Sequence, residues 1–262
     1  MKKQIALQMY TLRDGMTTPE DFENTLTRVA DMGYTHVQIT PPSFHTGPSM
    51  AERLQAHGLQ ADSAICPVYA IQERMEDILK ATEALHTDVL RTDSICEADR
   101  GSAEGYHRFA AHLEACGQAL RAHGLTFMYH FHSFEFVRFA DGTRGIDILL
   151  QETDPQHVFF QPDVFWLTAA GCEASTALRM FAGRVRYMHL KDYVILPGAE
   201  KLEETHRASA PVGSGNLNWD AIFRTAEELG ITNYVVEDDM GALDPFASAA
   251  ESVRFLKSAL KV

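Results

Sequence analysis

One pattern recurs along this chain and restricts its fold more than any other feature. An amphipathic helical stretch runs out at a glycine, and a short apolar strand follows within a few residues. The unit occurs at Val29–Ile39 around Gly33, Leu54–Ile65 around Gly58, Leu120–Tyr129 around Gly124 and Ala226–Val236 around Gly230. Glycine takes the left-handed C′ conformation at little cost, so each unit signals a helix stop followed by a strand start. Helices alternating with short buried strands imply βαβ crossovers and a parallel sheet.

Counting elements on this basis predicts strands near Gln4–Met9, His36–Ile39, Gln60–Ile65, Asp88–Arg91, Thr126–His130, Val158–Gln161, Arg186–His189 and Asn233–Val236. The predicted helices are Pro19–Asp31, Ser49–His57, Ile71–Leu85, Ala103–His123, Gly145–Glu152, Glu173–Phe181, Trp219–Leu229 and Pro245–Leu260. Thr18 is a sound N-cap, with Pro19 at the first helical position. Eight strands alternating with eight helices predict a single (β/α)₈ TIM barrel over residues 1–262, without a linker. A doubly wound open sheet is the alternative, but no GxGxxG follows the first strand, which counts against a nucleotide-binding version.

Composition narrows the partners. A chain of 262 residues with 45% apolar content can bury a full core. Its net charge of −13 repels phosphate backbones and excludes a nucleic-acid surface as the main expectation. The four cysteines are scattered, with no CxxC, as expected in a reducing compartment. Met1–Tyr10 lacks the long apolar core of a signal peptide, and no apolar run approaches the ~20 residues of a membrane span. The expectation is a cytoplasmic protein with no membrane partner. The segment Asp192–Asn218 breaks the alternation, and its glycines, prolines and polar run Glu200–Arg207 predict a long lid or binding loop.

The chemistry concentrates at strand ends, which in a barrel of this kind form the active mouth. Tyr129-His130-Phe131-His132-Ser133-Phe134-Glu135 crowds two histidines and a carboxylate together, and strand parity points His130 and His132 the same way. Asp163 follows strand six, where it also suits a helix cap. His189 ends strand seven and Glu237 ends strand eight. Glu135, Asp163, His189 and Glu237 are thus candidate ligands from four successive strands. Three carboxylates and one imidazole suit Mn²⁺, Mg²⁺ or Co²⁺ better than structural zinc. Lys191 shares the face of His189. Trp166 is either an apolar wall for a sugar ring or a core residue.

Several stretches together resemble the xylose isomerase-like TIM-barrel proteins, the sugar phosphate isomerase/epimerase group. They are Leu7-Gln8-Met9-Tyr10-Thr11-Leu12-Arg13-Asp14, Met32-Gly33-Tyr34, Tyr129–Phe136, Asp163-Val164-Phe165-Trp166 and His189-Leu190-Lys191-Asp192. Gly213–Trp219 and Val235-Val236-Glu237-Asp238-Asp239 complete the set, so the likeness covers nearly the whole chain. The resemblance implies one divalent cation held by Glu135, Asp163, His189 and Glu237. Epimerase-type relatives carry a carboxylate where this chain has His130, which leaves the strand-five ligand open between Glu135, His130 and His132. They also often carry a histidine where this chain has Trp166, and a glutamate where it has Gln38.

The leading expectation is a metal-dependent isomerase or epimerase acting on a keto-sugar through an enediolate. Glu237 would be one acid/base group, with His132 or Glu135 opposite and Lys191 reaching the same cavity. His130, Trp166 and Gln8 are expected to contact a small carbohydrate substrate. The nearest rival is a lyase that expels a β-leaving group after the same enolisation. A repair endonuclease would need a histidine-rich multi-zinc site and a cationic face. Assembly into a homo-oligomer is left open.

Overall fold

The computed structural model describes residues 3–40, 47–198, 206–239 and 244–262. Seven parallel strands appear first along the chain: β1 (Gln4–Gln8), β2 (His36–Gln38), β3 (Gln60–Ile65), β4 (Val89–Asp93), β5 (Thr126–His130), β6 (Val158–Gln161) and β7 (Met188–Leu190). A hairpin of β8 (Asp192–Ile195) and β9 (Arg207–Ala210) follows, and β10 (Asn233–Val236) completes the main sheet. The sheet order is β6-β5-β4-β3-β2-β1-β10-β7. Between its outermost strands, β6 and β7, the parallel bridges Phe160↔Val185 and Asp163↔His189 bring the ends together. The result is a nearly closed TIM barrel, as expected.

The helices are α1 (Pro19–Met32), α2 (Gly47–Ala56), α3 (Met75–Leu85), α4 (Ala103–Ala122), α5 (Gly145–Glu152), α6 (Val164–Ala169), α7 (Ala174–Ala177), α8 (Trp219–Glu228) and α9 (Pro245–Leu260). All four recurring glycines have positive φ, from 69° at Gly58 to 90° at Gly33. At the end of α1, the Gly33 N–H donates to the Ala30 carbonyl at 2.8 Å and stops the helix. Thr18 caps the other end by accepting from the Asp21 N–H at 3.1 Å.

Outward faces of the strands pack on these helices. Tyr129 meets Phe109 of α4 edge-on at 5.3 Å and Phe160 at 6.4 Å, and Phe131 stacks on Phe181 at 4.9 Å. Burying such aromatic side chains supplies much of the stabilisation of a barrel this size.

Three local expectations are corrected. Residues 192–218 are not a structureless loop: β8 and β9 pair antiparallel, with Asp192 opposite Ala210 and Ile195 opposite Arg207. Residues 199–205, which include most of the polar run, lie outside the described residues. The single helix expected at Glu173–Phe181 is a short α7 followed by a 3₁₀ turn at Leu178–Phe181. Helix α6 was not expected. It forms because Asp163 caps it, accepting from the N–H groups of Phe165 (2.8 Å) and Trp166 (3.2 Å).

Candidate metal centre

Strand parity and barrel closure bring four buried side chains to one point. His130 ends β5, Asp163 follows β6, His189 lies on β7 and Glu237 follows β10. One ligand atom from each falls within 4.8 Å of the other three. His130 Nδ1 lies 3.3 Å from the carbonyl oxygen of Gln161, which can only accept, so the proton belongs on Nδ1 and Nε2 keeps its lone pair. His189 Nε2 donates to Gln38 Oε1 at 2.8 Å. Its Nδ1 faces inward, 3.2 Å from Glu237 Oε2 and 4.0 Å from Asp163 Oδ2. Outer partners of this kind orient imidazoles for metal ligation.

The charges are unusual for so dry a place. Burial pushes the Asp163 carboxyl up to about 7, opposed by Lys191 and reinforced by Glu237. Burial acts on Glu237 in the same sense, but the Lys191 ammonium beside it overcomes burial and holds that carboxyl well below its ordinary range. Burial also lowers both imidazoles, His130 strongly, so they are neutral at pH 7 and have lone pairs to give. The Lys191 ammonium is 2.9 Å from Asp239, 3.2 Å from Glu237 and 3.8 Å from Asp163. Burial alone would lower its pKa, yet these three carboxylates raise it.

Asp163 Oδ2 and His189 Nδ1 are buried and have no hydrogen-bond partner. Orphaned acceptors at the focus of two imidazoles and two carboxylates fit a divalent cation. The donor set is softer than the expected three carboxylates and one imidazole, because the strand-five member is His130.

Glu135 does not join this group. It lies in a 3₁₀ turn, Phe134–Phe136, where one oxygen accepts from the Tyr129 hydroxyl and the other from the His132 N–H at 2.8 Å. It therefore anchors the turn that presents His132. The His132 ring stands 4.8 Å from His130 and 5.3 Å from Trp166, and its buried Nδ1 has no partner. Burial pushes its pKa down to about 4, against the pull of Asp93 and Glu237. Trp166 borders the cluster with its ring 5.0 Å from Lys191 Nζ, and its indole N–H is unpartnered.

A cavity of about 180 Å³ opens at this mouth, lined by Gln8, Tyr10, Thr40, Arg91, Asp93, His130, His132, Glu237 and Asp239. Gln8, expected to contact substrate, lines the cavity, whereas Arg91, Asp93 and Asp239 were not singled out from sequence. The available signal was two charged residues at the same parity in Val89-Leu90-Arg91-Thr92-Asp93, an otherwise apolar strand.

The family profile described as xylose isomerase-like TIM barrel matches residues 26–259. The chain belongs to that family. An inosose dehydratase from Geobacillus kaustophilus is 22% identical over 274 aligned positions, covering 89% of this chain and 86% of that protein. An inosose dehydratase from Clostridium perfringens is 25% identical over 169 positions, covering 59% of this chain. That match spans about half of the Clostridium protein, 54% of its length.

Among solved structures, a sugar phosphate isomerase/epimerase from Parabacteroides distasonis has a TM-score of 0.76 at 23% identity, covering 99% of this chain and 95% of its own. The IolI protein, crystallised with a zinc atom, has a TM-score of 0.72 at 14% identity, covering 98% of each chain. These structural likenesses establish the fold. Among the described residues, no helix is long and apolar enough to cross a membrane.

Proposed function

We propose that this protein is a divalent-metal-dependent lyase that removes water from a neutral keto-polyol, such as a keto-inositol or a keto-sugar. The observation that carries the reading is the convergence of His130, Asp163, His189 and Glu237, with two ligand atoms left unsatisfied beside a polar cavity. A bound Mn²⁺, Co²⁺ or Zn²⁺ would act as a Lewis acid toward the substrate carbonyl and acidify the adjacent carbon.

The chain's own residues then divide the remaining work. His132, neutral and with Nδ1 unpartnered, takes the proton from the carbon next to the carbonyl. The C–H electrons form the new C=C bond as the β-hydroxyl departs. The same imidazolium returns its proton to that hydroxyl, which leaves as water. Glu237 is a ligand in this scheme and no longer the base expected from sequence, because its Oε2 is already engaged by the Lys191 ammonium at 3.2 Å and turned toward the ligand cluster, 3.2 Å from His189 Nδ1. Lys191 keeps it ionised, and Trp166 closes the apolar side of the site.

Two observations favour elimination over the isomerase or epimerase first expected. The curated relatives are named dehydratases. Epimerisation needs two acid/base groups on opposite faces, and of the three expected, Glu237 is engaged by Lys191 and Glu135 by Tyr129 and the His132 N–H, which leaves His132 alone. The test is incubation of Mn²⁺-loaded protein with inosose in D₂O, followed by NMR and mass spectrometry. An unsaturated product lighter by one water supports the lyase. A deuterated product of unchanged formula would instead establish the isomerase or epimerase.

A further inference from the structure

The barrel wall around the cavity has two unlike halves. One arc, formed by β5, β6, β7 and β10, supplies the four candidate ligands. The other arc, from β1 to β4, supplies none of them, yet it lines the same cavity through Gln8, Thr40, Arg91 and Asp93. Arg91 is only 4% exposed, and burying a guanidinium is costly without a purpose. One of its nitrogens, Nη2, pairs with Asp93 Oδ2 at 2.8 Å, while the buried Nε has no partner. Asp93 is the opposite case: its side chain is 41% exposed and keeps acceptor capacity at the cavity. Asp93 pairs in register with His130, so the Arg91–Asp93 couple adjoins the ligand cluster.

Donor and acceptor side by side match a hydroxyl group, which needs both. The balance of charge argues for a neutral ligand. Among the described residues, Asp62 near Arg91 is pushed up to about 8 by burial and carries no charge at pH 7, so four carboxylates (Asp93, Asp163, Glu237 and Asp239) face two cations, Arg91 and Lys191, and a divalent ion would even the count. Neither cation is free for an anion, since Arg91 is paired with Asp93 and Lys191 with three carboxylates. Arg13, at the rim, spends its guanidinium on the carbonyls of Tyr10 and Asp239 and on the Tyr10 ring.

We infer that Arg91 and Asp93 form the subsite that grips the hydroxyl groups of a neutral polyol, and that their pairing excludes phosphorylated and carboxylated sugars. The inference rests on the proposed keto-polyol reading and adds the residues that select within it. Asp93 has a second role here, because it neutralises the Arg91 guanidinium, which would otherwise attract an anion. Specificity would thus come partly from a repulsive element.

The experiment is calorimetric titration of Mn²⁺-loaded protein with two probes, myo-inositol and myo-inositol 1-phosphate. The same titrations are made on Asp93→Asn and, as a check on Arg91, on Arg91→Lys. Wild type should bind the neutral polyol at least ~10-fold more tightly than its phosphate. Asp93→Asn should weaken the neutral probe by roughly 10-fold and strengthen the phosphate by a similar factor, because a bare guanidinium pairs well with phosphate. Arg91→Lys should weaken the neutral probe without that reversal, since an ammonium lacks the planar fork.

A purely structural pair would not reverse the preference. Equal affinity of wild type for both probes, no binding of myo-inositol, or unchanged affinities in Asp93→Asn would overturn the inference. Binding heats do not depend on turnover. Failure to dehydrate inosose with the reversal intact would therefore refute the lyase reading and leave the subsite standing.

Discussion

Asp163 and Asp192 are both buried aspartates at the barrel mouth, 0% and 1% exposed, so burial does not tell them apart. Their hydrogen bonds do. Asp192 accepts from five donors: the N–H groups of Tyr193 (2.9 Å), Gly213 (3.1 Å), Gly215 (3.0 Å) and Leu217 (3.3 Å), and the Trp219 indole (2.6 Å). That carboxylate is saturated, and it folds residues 213–219 back onto the start of β8. Gly215 has to be a glycine here, because a Cβ would lie 2.3 Å from Asp192 Oδ1. Asp163 satisfies one oxygen by capping α6 and leaves the other bare. A carboxylate whose lone pairs are all met by the chain is architecture. One that stays half-met beside other potential ligands fits a cation. Glu135 belongs with Asp192 by this criterion, despite lying in the histidine-rich stretch.

The largest expected effect tests the bare oxygen. Asp163→Asn keeps a capping oxygen but removes the charge, so bound metal should fall to background and turnover by at least ~10³-fold. The urea midpoint should hold or rise, because burial of the Asp163 carboxylate outweighs the opposing Lys191 and that cost is removed. Metal retained at full stoichiometry would break the comparison. Asp192→Ala should do the reverse. Five donors lose their acceptor, costing about 3–5 kcal/mol of unfolding free energy, while the protein that remains folded still takes up metal. A loss below ~1 kcal/mol would show that the saturated carboxylate does not hold the segment.

A smaller change is expected at Gln38, which orients His189 through Nε2. Gln38→Leu should weaken metal binding ~10–100-fold, and Gln38→Glu should recover most of it by restoring an acceptor. Competition with a chelator reads both. Equal affinity in the leucine variant would remove Gln38 from the site.

The smallest effect concerns pH. Burial raises the Glu135 carboxyl to about 7, although the Tyr129 hydroxyl and the His132 N–H oppose the shift. A carboxyl whose folded pKa exceeds its unfolded value favours the folded state at low pH, and that contribution is lost as pH rises through ~4.5 to 7. Relative to wild type, Glu135→Gln should therefore gain stability between pH 5.5 and pH 8, which removes this one group's contribution to the slope across that window. Urea unfolding at the two pH values checks it, and an unchanged slope would mean that the hydrogen bonds fully offset burial.

Much of this molecule follows from local pattern. The glycines that stop helices, the apolar strands behind them and the N-cap at Thr18 all depend on near neighbours, so the alternation was legible and the barrel followed from it. Parity along a strand likewise placed His130, His189 and Lys191 on inward faces, and strand ends brought Asp163 and Glu237 to the same mouth. Only the tertiary structure brought His130, and not Glu135, into the four-residue cluster. Glu135 lies in a turn where periodicity has no hold, and its direction is set by a hydroxyl six residues back across the strand. The same applies to the β8–β9 hairpin, whose base depends on Asp192 gathering donors from 21 to 27 residues away. It applies also to the Arg91–Asp93 half of the cavity, which becomes a wall only when β4 meets β5 in register. Local propensity determines which segments are helix or strand, whereas the partner of a buried charge is known only once distant strands have closed around it.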